Sequence, residues 1–546
     1  PKLTWHLVQG RLVERIDSQD RVQFDGNGFH AEGTGFDLRR EASGAALTHD
    51  GEMVLTRDGL VRLRLERGGE ATLRATGSGP IRVKRVLVDP TKPDGPATLD
   101  LSTTDGSKFD VSGEEPLVLE ARTLHLVGRG GSKDLADFRL ERIDALEDVV
   151  ATSRGDTFRA RHAEFWFREN DRLERGVLDG NVVLESSGDV FHGDAATFAF
   201  DAGGRLSRTE LNGSPRGTVV LGKYLAQRPN PGEIERKLQD AQAELDGVGP
   251  LVVTFGGDTT LDLAGASTLK VPALGFELLS GERLTGAVRK DRRGGTLAAR
   301  GGVHARYTDA ELVTDALDVR IELPAPDKEA VIVVTNGTTT VTGTPAGKGQ
   351  VTLVAAGGLE ARTSQGRVSI PIARRVTLKA EGPDGFDASA ERVNDLDWDT
   401  KEFVAEGNVH FNGAAGDGNA ERAVVHGRES VELYGTSSDP ARWILARRET
   451  TKGPLSAEAR ALEITARDEE VHARGEVVVD FAAGQDAYHL ASNALDLALD
   501  PLPAGVAPAD AKERTYHAKA KGGVRANFAS LGRKGELECQ TLTVDG

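Results

Sequence analysis

The stretch D-T-K-E-F-V-A-E-G-N-V-H-F-N-G, residues 399–413, decides how this chain is read. A polar turn at Asp399-Thr400-Lys401 leads into Phe403 and Val404. The chain then meets Glu406-Gly407-Asn408 and resumes as V-x-F at Val409 and Phe411. Much the same string returns as NDRLERGVLDGNVVLES at 170–186 and as ARDEEVHARGEVVVDF at 466–481. A phrase repeated at such distances points to an architecture built from copies of one unit.

Aligning on G-x-V gives Gly180-Asn181-Val182, Gly301-Gly302-Val303, Gly407-Asn408-Val409, Gly475-Glu476-Val477 and Gly522-Gly523-Val524. A second phrase with alanine and an acid lies upstream of these anchors, as in ARHAEFWF from 160 and LSAEARALEIT from 455. Each unit reads as strand, polar turn, strand, glycine kink, strand. The anchors are unevenly spaced, so the copies carry insertions and no strict solenoid is expected. Glycine suits the kink because, lacking Cβ, it adopts dihedrals closed to other residues and lets a strand bend. Beyond the kink, alternate residues share a face. Val409 and Phe411 form one side and His410 and Asn412 the other, the pattern of antiparallel sheet with one buried face. Period-two alternation dominates nearly everywhere, which makes the chain all-β. One segment has helical spacing: Ile234, Leu238, Ala241 and Leu245 follow Pro231, and Gly247 is placed to end a helix. The Pro/Ala-rich stretch 501–513 reads as an exposed loop.

The chain has 546 residues, enough for several domains or an extended repeat, with 38% hydrophobic and only 5% aromatic residues. No stretch approaches the roughly 18 apolar residues of a membrane span. A net charge of −17, spread along the chain, disfavours nonspecific binding to nucleic acid or to an anionic membrane face. The single cysteine, Cys539, forms no internal disulfide, which fits either a reduced compartment or an exported protein that does without bridges.

The W-D-T-K-E-F-V-A-E-G-N-V-H-F string at 398–411, followed by G-N-A-E-R-A at 418–423 and L-Y-G at 433–435, resembles the OstA-like β-jellyroll. That is the unit of the periplasmic lipopolysaccharide-transport proteins LptA, LptC and the amino-terminal domain of LptD. L-E-R-G-V-L-D-G-N-V-V-L and G-D-A-A-T-F-A-F-D repeat the order at 173–184 and 193–201, and 456–546 is a looser match. The resemblance covers about half of the chain. It implies an elongated stack of open β-jellyroll units with one short helical insertion, located in the periplasm and held to a membrane, if at all, through a segment outside this chain. It further implies noncatalytic binding and transfer of lipopolysaccharide or a related glycolipid through an apolar groove. Partners would be the glycolipid and other envelope transport proteins joined by edge-strand pairing. The groove would be lined by Val182, Leu184, Phe198, Phe200, Val409, Phe411, Val477, Val479, Phe481, Val524 and Phe528. On this reading 146–228 and 381–546 are OstA-like units and 229–249 is the helical insertion. Residues 1–145 and 250–380 are β-rich regions, either diverged jellyrolls or different β domains. The alternative is a structural β scaffold or adhesin of the envelope with a sealed core, since an apolar sheet face serves either purpose.

Other chemistry leaves little trace. The 12 histidines show no H-x-H, no H-E-x-x-H and no cysteine partner, so no metal ligand and no cofactor is nominated. Asp395, Asp397 and Asp399 fall on one face if extended, but the matching position in the other copies is a turn, and a solvated hairpin end is expected. Gly343 to Gly349 lacks the spacing and the Ser/Thr of a phosphate loop and reads as a hairpin. No G-x-S-x-G occurs, no thiol-activating pattern surrounds Cys539, and no catalytic residue is assigned.

Overall fold

The computed structural model describes residues 2–545 apart from 9–11, 27, 44–45, 66–68, 90, 92–95, 113–115, 131–137, 170–171, 227, 345–348, 365–366, 383–384, 414–415, 428, 451–452, 468–469, 484–485, 500–515 and 531–532. The hairpin expected at 343–349 and the loop expected at 501–513 fall largely or wholly outside the described residues. The chain is all-β, with forty strands among those residues. It divides into two compact units: 1–225, 238–272 and 282–292 form one, and 226–237, 273–281 and 293–546 the other.

In the first unit, Leu12–Gly26, Phe29–Ser43 and Ala46–Arg64 run as a long antiparallel meander. Ala46–Arg64 then serves two sheets. Its residues 51–55 pair with Ile81–Leu87, and residues 60–64 pair with Glu70–Ala75. Asp58, between the two halves, has φ 50°. One sheet continues through Ala97–Thr103 to Thr123–Gly130, the other through Ser107–Val111 to Leu117–Ala121. A single long strand, Arg139–Ser153, rejoins them by pairing with both Thr123–Gly130 and Leu117–Ala121. The long strands Asp156–Phe167, Leu173–Ser186 and Asp189–Phe200 follow, and the last divides again between Leu206–Asn212 and Arg216–Val220.

The second unit repeats the scheme. Ala310–Glu322 divides between Ala330–Asn336 and Thr339–Gly343, and the two sheets rejoin in Arg367–Ala380. Three long strands later, Gly416–His426 divides between Ser430–Tyr434 and Ala441–Thr450, and Glu470–Ala483 rejoins the sheets. Asp486–Leu499, Tyr516–Ser530 and Arg533–Asp545 close the unit as one long meander.

The glycine phrase is a bend within a long strand, and at Gly475 the bent strand also divides between two neighbours. At each of the five anchors two consecutive residues have positive φ: 81° and 55° at Gly180-Asn181, 75° and 47° at Gly407-Asn408. The cross-strand register shifts there, as between Glu406 and Val409, the mark of a β-bulge. Glu147 and Asp148, at φ 60° and 53°, make the same bend without glycine.

The helix is shorter than its spacing suggests. It covers Glu233–Gln239 only, and Gln242–Gly247 is a strand in which Ala243, Leu245 and Gly247 are buried in alternation. Leu245 satisfies a helical and a period-two pattern equally, and pairing with Arg216–Val220 and Ser267–Val271 decides for strand.

Candidate functional site

The residues expected to line an apolar path divide into two groups. Val182, Leu184 and Phe198 in the first unit, and Val409, Phe411, Val477 and Val524 in the second, are buried. Around Phe411 the interior is filled by rings. Phe386 stacks on both Phe403 and Phe411, at 6.0 and 5.5 Å, and Phe411 lies 6.5 Å from Trp443. Phe403 and Phe411 stand on opposite sides of the Gly407-Asn408 bend, so the Phe386 ring joins the two halves of one strand. Phe158 meets Phe198 edge to face at 5.1 Å. An acyl chain lying against these side chains would leave them exposed when it departs; instead they are packed against one another.

The second group opens towards the last strands. From the Gly475-Glu476 bend outward, Val477 is buried and Val479 and Phe481 are half-buried. From the Gly522-Gly523 bend, Val524 is buried, Ala526 half-buried and Phe528 42% exposed. Phe200, in the first unit, is also half-buried. Cross-strand register sets Ala457, Phe481, Tyr488, Phe528 and Gly535 in one row, and Trp443, Ala459, Val479, Leu490, Ala526 and Leu537 in the next. Directly opposed residues share a face, so the two rows form one apolar strip. Its outer members are uncovered: Tyr488 is 43% and Leu537 42% exposed.

This strip borders an open trough of about 970 Å³ lined by apolar Ala457, Phe481, Tyr488 and Phe528 and also by charged or polar Glu458, Asp480, His489, Lys534 and Glu536. The Phe481 and Tyr488 rings are 5.5 Å apart and tilted by 58°. A Cβ on Gly535 would lie 2.1 Å from Phe528 Cζ, so glycine on the last strand gives that ring its place. A polar row alternates with the apolar one. Asp480 accepts from His489 Nδ1 at 2.8 Å, and Arg460 bridges Glu458 and Asp480 at 2.7 and 3.5 Å. The trough thus combines apolar area with a charged row among its lining residues.

Tyr488, Leu490, Gly535 and Leu537 were not singled out from the sequence. The signal for Tyr488 and Leu490 was the alternation A-Y-H-L-A-S at 487–492, and for Gly535 and Leu537 the alternation G-E-L-E-C at 535–539, neither of which carries the G-x-V phrase. The Asp395, Asp397, Asp399 series is broken by Asp395 at φ 52°, and Asp397 Oδ1 accepts from the amides of Asp399 and Thr400 at 3.0 and 2.9 Å. It is a turn cap, as its position in the repeat suggested.

Two strands leave an edge unpaired among the described residues. Thr4–Val8 pairs with Leu12–Gly26 alone, and there Trp5 is 57% and Leu7 54% exposed. Arg533–Asp545 pairs with Tyr516–Ser530 alone. Among the described residues, no helix is long and apolar enough to cross a membrane. No family model matches the chain, and no curated protein sequence matches it.

Proposed function

We propose that this protein binds the acyl chains of lipopolysaccharide or a related glycolipid, without catalysis, in the trough of its last strands. From there it passes them to an envelope protein that adds to an open sheet edge. The observation that carries the reading is the gradient from buried Val477 and Val524 to half-buried Phe481 and exposed Phe528 and Tyr488, beside an open trough of about 970 Å³. Each buried CH₂ of an acyl chain contributes about 0.8 kcal/mol, so a few chains bind well by area alone. An edge strand with free N–H and C=O groups accepts a further strand from a partner, which would extend the apolar strip beyond Leu537. The glycolipid and the periplasm come from the resemblance to periplasmic transport units alone; the trough and the open edges support the reading only as an exposed apolar surface and free strand edges.

The packed interior at Phe386, Phe403, Phe411 and Trp443 favours a second reading, a sealed structural scaffold of the envelope. Native mass spectrometry of protein purified from a Gram-negative envelope separates the two. Lipid binding predicts co-purified glycolipid, lost at least tenfold in Phe528→Glu and Tyr488→Glu, exposed positions whose substitution leaves the fold intact. A lipid-free protein that also takes up no added lipopolysaccharide contradicts the proposal and leaves the scaffold.

A further inference from the structure

The outward face of the first unit carries a cluster that neither the core nor the trough uses. Strands Arg139–Ser153 and Asp156–Phe167 pair with Arg142 opposite Trp166, Asp144 opposite Glu164 and Leu146 opposite His162. These side chains therefore share one face. Asp144 Oδ1 lies 2.8 Å from His162 Nε2, and Glu164 Oε1 lies 3.6 Å from the same nitrogen. The three donor atoms all lie within 4.8 Å of one another.

The remaining carboxylate oxygens face elsewhere. Arg142 Nη2 is 3.2 Å from Glu164 Oε2 and 3.8 Å from Asp144 Oδ2, and its guanidinium lies over the Trp166 ring at 5.8 Å. Arg142 thus holds the outer oxygens and leaves Oδ1 and Oε1 turned towards the imidazole. The three side chains are 23–30% exposed, half-buried yet reachable from solvent. Two more donors border them on the neighbouring strands: Asp179 is registered opposite His162, and His125 opposite Asp144.

We infer that Asp144, His162 and Glu164 form a binding site for a divalent transition-metal cation of the Zn²⁺ type. One imidazole nitrogen with two carboxylate oxygens is a donor set for such ions. Ca²⁺ asks for six to eight oxygen ligands, and Mg²⁺ for near-ideal octahedral oxygen geometry, and neither is offered here. Arg142 plays the part of an outer partner that orients ligating carboxylates. The site draws its ligands from two adjacent strands, so a bound ion staples them together on one side of the Glu147-Asp148 bend. The competing arrangement is a plain ion-pair network in which His162 bridges the two carboxylates.

Calorimetric titration of the metal-free full chain with Zn²⁺, and with Mg²⁺ for comparison, tests the assignment. The site predicts saturable uptake of one Zn²⁺ per chain, at least tenfold tighter than Mg²⁺, with a rise in melting temperature. His162→Gln and Glu164→Gln, each checked for native circular dichroism, weaken uptake at least tenfold. His410→Gln, which alters an imidazole beside Asn419 and Asp417 in the other unit, leaves it unchanged. Absence of saturable uptake, or uptake that survives His162→Gln, overturns the site and leaves the ion-pair network.

Discussion

At Gly407 a Cβ would lie 3.0 Å from the Cβ of Glu391, and φ is 75°, so both space and backbone require glycine. Its neighbour Asn408 tolerates φ 47° and donates from Nδ2 to Glu391 Oε1 at 2.8 Å. Gly302, the second residue of another bend, has φ 63° and nothing within 4 Å. Gly407→Ala is therefore expected to cost about 1–2 kcal/mol, and Gly302→Asn less than about 0.5 kcal/mol, in urea unfolding. Equal effects would mean that the two positions are not specialised as described. The five glycine bends were legible in the sequence because glycine marks them. The bend at Glu147 and Asp148 was not, because these residues look like ordinary surface acids. Their left-handed backbone is held from outside, where the Arg122 amide donates to the Glu147 carbonyl at 2.9 Å and its guanidinium pairs with the Glu147 carboxylate at 2.9 Å.

Between long strands, the short elements need anchors of their own. Asp189, buried at the start of Asp189–Phe200, accepts from the Val220 amide at 2.8 Å and the Tyr224 hydroxyl at 2.7 Å, and it pairs with Lys223. These bonds fix the turn of Leu221–Tyr224 against the end of Arg216–Val220. Asp189→Ala leaves Lys223 without its carboxylate in a mostly buried place and is expected to cost about 3 kcal/mol. Burial first, and then the bond to Asp189, hold the Tyr224 phenol well above its usual range. A group raised on folding contributes stability below its unfolded value and loses it as pH rises through the folded one. Stability should thus fall as pH is raised above the ordinary tyrosine value of 10.0, and Tyr224→Phe should flatten that fall. Alternation announced these strands, but not which of two sheets each would join. That choice rests on pairings between residues far apart in sequence, which local pattern does not encode. The helix end was misread for the same reason, since Gln242–Gly247 becomes a strand through its two neighbours.

For the whole molecule, the open matter is where an apolar face is filled and where it is free. Val409 and Val479 look alike in sequence, each following a glycine anchor within an alternating strand. The first is buried within the core cluster of its unit, while the second is only half-buried against that cluster, in a row that ends at exposed Leu537. That difference comes from what surrounds a strand and from its position near an edge, and composition does not carry it. The central claim, lipid held at the last strands and excluded from the packed interior, is tested most directly by a photo-crosslinking scan in Gram-negative cells. A photoreactive residue at 528 or 488 should crosslink to lipopolysaccharide or a related glycolipid, and one at 409 or 411 should not. Crosslinking at 409 and 411 as strong as at 528, or none at any of the four, would contradict the account.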